Sequence, residues 1–141
     1  MRVSNPVVDL VRQWAHKAEN DLKNAAAVLK LGKECPTDTV GFHAQQCVEK
    51  YLKALLVFHG TDFPKVHDIE ALVRLLPRAV LANWSLREQR KLTGYAVVIR
   101  YPGDYADIPL AEARAAVRIA RRVRREIRKL LPRAALRKKA G

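Results

Sequence analysis

Apolar residues in this chain recur at steps of three and four, and no segment sustains strict alternation. The first period belongs to the α-helix and the second to the half-buried strand. A chain patterned this way buries its apolar surface by packing helix stripes against one another. The first run is Val7, Leu10, Val11, Trp14, Ala18, Leu22, Ala25, Ala26 and Leu29. Asn5-Pro6 opens it with a capping side chain followed by a proline in the first turn. Gly32 is placed to end it.

After a linker containing Pro36, with Thr37 or Asp38 as the cap, a second helix is expected over residues 39–59. At 100° per residue, Ala44, Cys47, Val48, Tyr51, Leu55 and Phe58 fall in one apolar arc. Gln45, Gln46, Glu49, Lys50 and Lys53 fall opposite, as a solvated face or a cleft lining. Glu49 and Lys53 form an i,i+4 pair worth a few tenths of a kcal/mol, about 0.3, on an exposed helix. Gly60 ends this helix. Asp68 caps a short one over 69–76, which Pro77 stops. Ser85, with Glu88 three residues on, reads as a capping box for a helix over 86–99. Gly94 within it suggests a close helix approach. Pro109 starts the last helix, over 110–131, and Pro132 ends it.

The last helix is cleanly divided. Its apolar arc holds Leu110, Ala113, Ala116, Val117, Ala120, Val123, Ile127 and Leu131. Its basic arc holds Arg114, Arg118, Arg121, Arg122, Arg125, Arg128 and Lys129, and only Arg124 falls among the apolar positions. The formal charge of +13 is concentrated here, because the stretch from Ala111 onward carries 12 basic residues and only 2 acidic ones. A field of that sign favours polyanions, RNA or DNA first. The expected organisation is an all-α, up-down bundle of four long helices plus one short helix over residues 1–131. A basic, disordered tail is expected over 132–141.

Several classes are disfavoured. No apolar run approaches the length of a membrane span, and Met-Arg-Val-Ser-Asn-Pro lacks the apolar core of a signal peptide. A cytoplasmic protein is expected. Cys35 and Cys47 make no disulfide framework. No two of the four histidines have the i,i+4 spacing of helix metal ligands, and there is no glycine-rich phosphate loop. Neither a metal nor a cofactor is expected. One connector stands out: Arg100-Tyr-Pro-Gly-Asp-Tyr105 sets a guanidinium, two phenols and a carboxylate between two helices. Polar groups on a loop held by rigid elements can form a site, although Pro-Gly-Asp is also ordinary turn chemistry.

Three features in order carry a resemblance. They are Ala18-Glu19-Asn20-Asp21-Leu22 with the alanines behind it; Phe42-His43-Ala44-Gln45-Gln46-Cys47-Val48-Glu49-Lys50-Tyr51-Leu52-Lys53, followed by Gly60 and Val66-His67-Asp68-Ile69; and Arg100-Tyr101-Pro102 before the closing helix. Together they resemble the HEPN family (higher eukaryote and prokaryote nucleotide-binding domains), over roughly residues 5–131. The resemblance implies a helical bundle that often forms homodimers. In prokaryotes it is frequently encoded beside a minimal nucleotidyltransferase, as a toxin–antitoxin-like pair. Many members are metal-independent ribonucleases that use an arginine, four to six intervening residues and a histidine at a dimer cleft. Here Arg100 matches the arginine, while the histidine positions hold Tyr105, Ala106 and Asp107.

The expected function is therefore a nucleotide- or RNA-binding module, acting as a homodimer beside a nucleotidyltransferase. Arg100, Lys50, Lys53 and Gln46 are its phosphate-facing candidates, and Arg114, Arg118, Arg121 and Arg125 its RNA contacts. The alternative enzyme is a ribonuclease using Arg100 with Tyr105 or a nearby carboxylate. A ligand-free interaction domain is the third reading.

Overall fold

A computed structural model of the protein describes residues 5–96 and 107–137. Among them are six α-helices and no strand: α1 (Pro6–Leu29), α2 (Thr37–Phe58), α3 (Ile69–Arg74), α4 (Leu86–Gly94), α5 (Leu110–Arg128) and α6 (Arg133–Leu136). A 3-10 turn, Gly32–Glu34, joins α1 to α2. The expected all-α class holds.

Local chemistry explains most boundaries. Asn5 Oδ1 accepts from the Val7 and Val8 amides at 3.1 and 3.2 Å, ahead of Pro6. Such a cap contributes about 1 kcal/mol. Asp68 caps α3 through the Ala71 amide, and Ser85 caps α4 through the Glu88 amide. The cap expected from Thr37 or Asp38 is not used. Pro36 occupies the N-cap of α2, and Asp38 Oδ1 instead accepts from the Ile108 amide at 3.2 Å, tying the start of α2 to the start of α5. Gly60 holds φ +68, the left-handed conformation that turns the chain out of α2.

Of the helix expected over 86–99, α4 covers Leu86–Gly94, and residues 97–99 lie outside the described residues. After Gly94 the Tyr95 and Ala96 amides bond back three residues, to Leu92 and Thr93, which tightens the end of α4 into a turn. Among the described residues a Cβ on Gly94 would meet nothing within 4 Å, so none of them supplies the close approach expected there. The close approach is at Gly41, where a Cβ would lie 3.0 Å from Ile108 and 3.2 Å from the Tyr95 ring.

α1 and α2 form an antiparallel hairpin, and α5 packs along α2. α6 lies against α1, while α3 and α4 cover the other side of α2. The core runs from Val11, Ala18 and Ala25 of α1 through α2 to Ala113, Val117, Ala120 and Ile127 of α5. The apolar arc expected for α5 is the one buried. The single arc expected for α2 is not. Leu52, Lys53 and Leu56, outside that arc, are buried, whereas Phe58, inside it, is exposed. α2 is the central helix, with neighbours on most sides, so a one-sided stripe misdescribes it. Of the disordered tail expected over 132–141, one part is ordered, and residues 138–141 lie outside the described residues. Arg133–Leu136 forms α6, Ala135 is buried, and the Ala134 carbonyl accepts from Arg12 at 2.6 Å. Proline at the N-cap restarts a helix there.

Candidate functional site

The polar face of α2 is built into the hairpin. Glu49, 3% exposed, accepts from Gln45 at 3.1 Å and from Lys53 at 3.1 Å, and it lies 2.8 Å from His67 Nδ1. Lys53 is roofed by the Trp14 and Phe63 rings, 5.5 and 5.6 Å from their centroids. Burial disfavours the Glu49 anion, but the His67, Gln45 and Lys53 partners outweigh it and hold the carboxyl below its ordinary range. Gln46 donates to the Gln45 side-chain carbonyl at 2.7 Å. One turn along, Asp21 of α1 receives His43 at 2.8 Å and Lys50 at 2.6 Å.

A third cluster joins three helices. Glu19 of α1 accepts from the Tyr51 hydroxyl of α2 and the Arg124 guanidinium of α5, with Arg128 at 3.4 Å. Burial opposes ionisation of Glu19, yet the hydrogen bonds from Tyr51 and Arg124 keep its carboxyl below the usual range. Burial and the Glu19 carboxylate push the Tyr51 phenol up. This cluster accounts for the one arginine that interrupts the apolar arc of α5.

Of the residues singled out by sequence, Arg100 and Tyr105 lie outside the described residues. Lys50 and Gln46 are half-buried and partnered. Lys53 is enclosed, so Gln46, Lys50 and Lys53 do not form one open, solvated face. Arg114, Arg118, Arg121 and Arg125 behave differently. All four are exposed, and among the described residues none is held in an ion pair. Steps of four, three and four place them in one stripe about 16 Å long on the outer face of α5.

Beside that stripe lies a cleft of about 360 Å³ between α4 and α5. Leu92, Ala115, Ala116 and Ile119 give it apolar walls. Lys91 pairs with Glu112 at 3.3 Å, and Arg122 pairs with Glu88 at 3.4 Å, each bridging the two helices. The Tyr95 hydroxyl also donates to Glu112; that hydrogen bond, with Lys91 reinforcing it, holds the carboxyl below its ordinary range. Near the start of α5, Asp107 faces Asp38, and the shared hydrogen bond and like charge raise the Asp107 carboxyl above its usual range.

Sequence reasoning missed the partners of α2 and the cleft. The signal for the partners was present: Glu19 and Asp21 stand in the first helix, two residues apart, where acidic groups could meet the basic side of another helix. The cleft had no such signal, because it depends on how far α4 stands from α5. Among the described residues no group of three or more His, Cys, Asp or Glu side chains could hold a metal ion. No described helix is long and apolar enough to cross a membrane.

Comparison with known proteins agrees with this architecture. A protein of Methanocaldococcus jannaschii named "Putative toxin MJ1304" is 29% identical over 106 residues, covering 70% of this chain and 67% of that protein. The crystal structure of TT1696 from Thermus thermophilus matches with a TM-score of 0.70 at 27% identity, over 86% of this chain and 98% of that one. The family model described as "HEPN domain" matches residues 11–130. With nearly the whole helical bundle inside that match, the chain belongs to the HEPN domain family.

Proposed function

We propose that this chain is the nucleotide- or RNA-binding member of a toxin–antitoxin-like pair, acting as a homodimer beside a minimal nucleotidyltransferase. The observation that carries the reading is the stripe of exposed guanidiniums on α5, Arg114, Arg118, Arg121 and Arg125, set apart from the arginines spent on Glu19 and Glu88. Unpaired cations in a row neutralise successive phosphates and release counterions. Family membership and the name carried by the Methanocaldococcus jannaschii relative support the same class of role. Arg100 is the proposed phosphate-facing cation of the connector, with Lys50 and Gln46 as secondary candidates. Lys53, paired with Glu49 under the Trp14 ring, is the least accessible of the α2 candidates.

The test is titration of short RNA and of free nucleotides across a salt series, with wild type, Arg100→Ala and a variant carrying Arg118→Ala, Arg121→Ala and Arg125→Ala. Binding that weakens with salt and with the triple substitution supports the reading. Absence of binding at low salt overturns it. Co-purification with the product of a neighbouring nucleotidyltransferase gene tests the pairing, and sedimentation tests the homodimer.

One observation favours a second reading, a ribonuclease. Asp107 stands at the last of the three positions where the family motif carries histidine, and a carboxylate there, facing Asp38, could move a proton. RNA cleavage lost in both Arg100→Ala and Asp107→Asn, while Tyr105→Phe retains it, would favour Asp107 over Tyr105 in that role.

A further inference from the structure

We propose that the cleft between α4 and α5 takes one unstacked base of a single-stranded polynucleotide whose backbone runs along the α5 arginine stripe. The proposal rests on the polyanion-binding reading above and names the form of nucleic acid that fits. Three observations carry it.

The first is position. Ala115 and Ile119 line the cleft, and Arg118 lies about 60° around the helix from Ala115 at 3.6 residues per turn. The stripe and the cleft are therefore neighbouring parts of one surface. The second is shape. The ion pairs Lys91–Glu112 and Arg122–Glu88 bridge the two helices, and the cleft between them holds about 360 Å³. A docked helix is about 10 Å wide with its side chains and needs an open-ended groove, whereas a planar base fits a short apolar slot.

The third is the chemistry of the lining. Glu88 and Glu112 place carboxylate oxygens beside the apolar walls, and the Glu112 carboxyl is held ionised. Arg87 and Lys91 also line the cleft, so its apolar walls, not its net charge, favour a base over a phosphate there, and the carboxylate oxygens set which base. Those oxygens accept hydrogen bonds from the exocyclic amino groups of adenine, cytosine or guanine. A base bearing an amino group enters, and its flanking phosphates remain outside on Arg118, Arg121 and Arg125. A duplex keeps its bases stacked and paired and cannot make this insertion.

The experiment measures fluorescence anisotropy of the full chain with labelled oligoadenylate, with labelled oligouridylate and with the duplex of the two, at one fixed salt concentration. Oligoadenylate is expected to bind about tenfold more tightly than oligouridylate, the discrimination of a well-placed hydrogen-bonding pair. The duplex is expected to bind at the weaker level. Ala115→Phe fills the cleft from its half-buried rim and should bring oligoadenylate down to the oligouridylate level, with oligouridylate binding itself unchanged. Equal binding of all three probes by wild type overturns the base pocket and leaves the stripe standing. A preference that survives Ala115→Phe in a folded variant overturns it too. So does a substitution that splits a dimer, as seen by sedimentation, without changing oligonucleotide affinity, since the cleft would then belong to a second copy of the chain. No binding of any probe overturns the broader reading together with this one. The wild-type preference decides the matter even if Ala115→Phe fails to fold.

Discussion

Lys53 and Arg118 each place one positive charge on a long helix, and the fold uses them in opposite ways. Lys53 lies under two aromatic rings, bonded to a carboxylate that is itself buried. Arg118 stands in water, with no ion-pair partner among the described residues. The same contrast divides the molecule. On α1 and α2, Asp21 holds Lys50, Glu49 holds Lys53, and Glu19 takes Arg124 and Arg128 of α5. On the outer face of α5, Arg114, Arg118, Arg121 and Arg125 hold no ion pair among the described residues. Charge locked inside a hairpin sets how the helices meet, and charge left outside is available to a partner.

Glu49 is where this contrast is most open to test. As an exposed i,i+4 pair, Glu49–Lys53 would contribute about 0.3 kcal/mol. Because both groups are buried, Glu49→Ala should cost about 3 kcal/mol or more, since it leaves Lys53 charged and unpaired in the interior. Urea denaturation measures this directly. The double substitution Glu49→Leu with Lys53→Leu should recover much of the loss by replacing the pair with apolar packing. A Glu49→Ala loss below about 0.5 kcal/mol would mean that the network is solvated.

The next test uses pH. The Glu49 and Glu19 carboxyls both lie below their ordinary value of 4.5 in the folded state. Each therefore contributes stability that is complete above the unfolded-state value and is lost as pH falls through the lower, folded-state value. The urea midpoint should fall as acid is added below about pH 4.5, and the fall should be shallower in Glu49→Gln and in Glu19→Gln. Equal acid sensitivity in both variants and wild type would place the acid response elsewhere.

Why one side of this contrast could be read in the sequence and the other could not is a matter of geometry. α5 packs one face on α2 and leaves the other to solvent, so its arc of Ala113, Val117, Ala120 and Ile127 was legible from spacing alone. α2 has neighbours on most sides, and periodicity carries no information about a helix that is buried nearly all round. Glu49 and Lys53 look like surface charges until Trp14, Phe63 and His67, distant in sequence, are brought over them. Asp38 was legible as a helix cap by residue type, yet it serves α5 through the Ile108 amide. Arg124 stood out as a misplaced charge, and its reason lies far away in the chain, in Glu19. Local signals such as Asn5-Pro6, Asp68 and Ser85 were readable because both partners sit within one turn of helix.

Stability should respond least at the other pole, on the outer face of α5. Arg118→Ala, Arg121→Ala and Arg125→Ala remove three exposed charges that hold no ion pair among the described residues, so each should change folding stability by less than about 0.5 kcal/mol. Removing like charges from one face can even be slightly stabilising, because they repel one another across about one turn of helix. The same substitutions should act strongly on nucleic-acid binding. For a single strand, each lost phosphate contact lowers the slope of log affinity against log salt by about 0.7, so the triple variant should lose about 2 units of slope. Measuring both quantities on one protein preparation separates the two roles that charge can play here. A triple variant that unfolds easily would move the stripe into the class of Glu19 and Glu49. One that folds as well as wild type and loses its salt-dependent binding assigns the stripe to a partner.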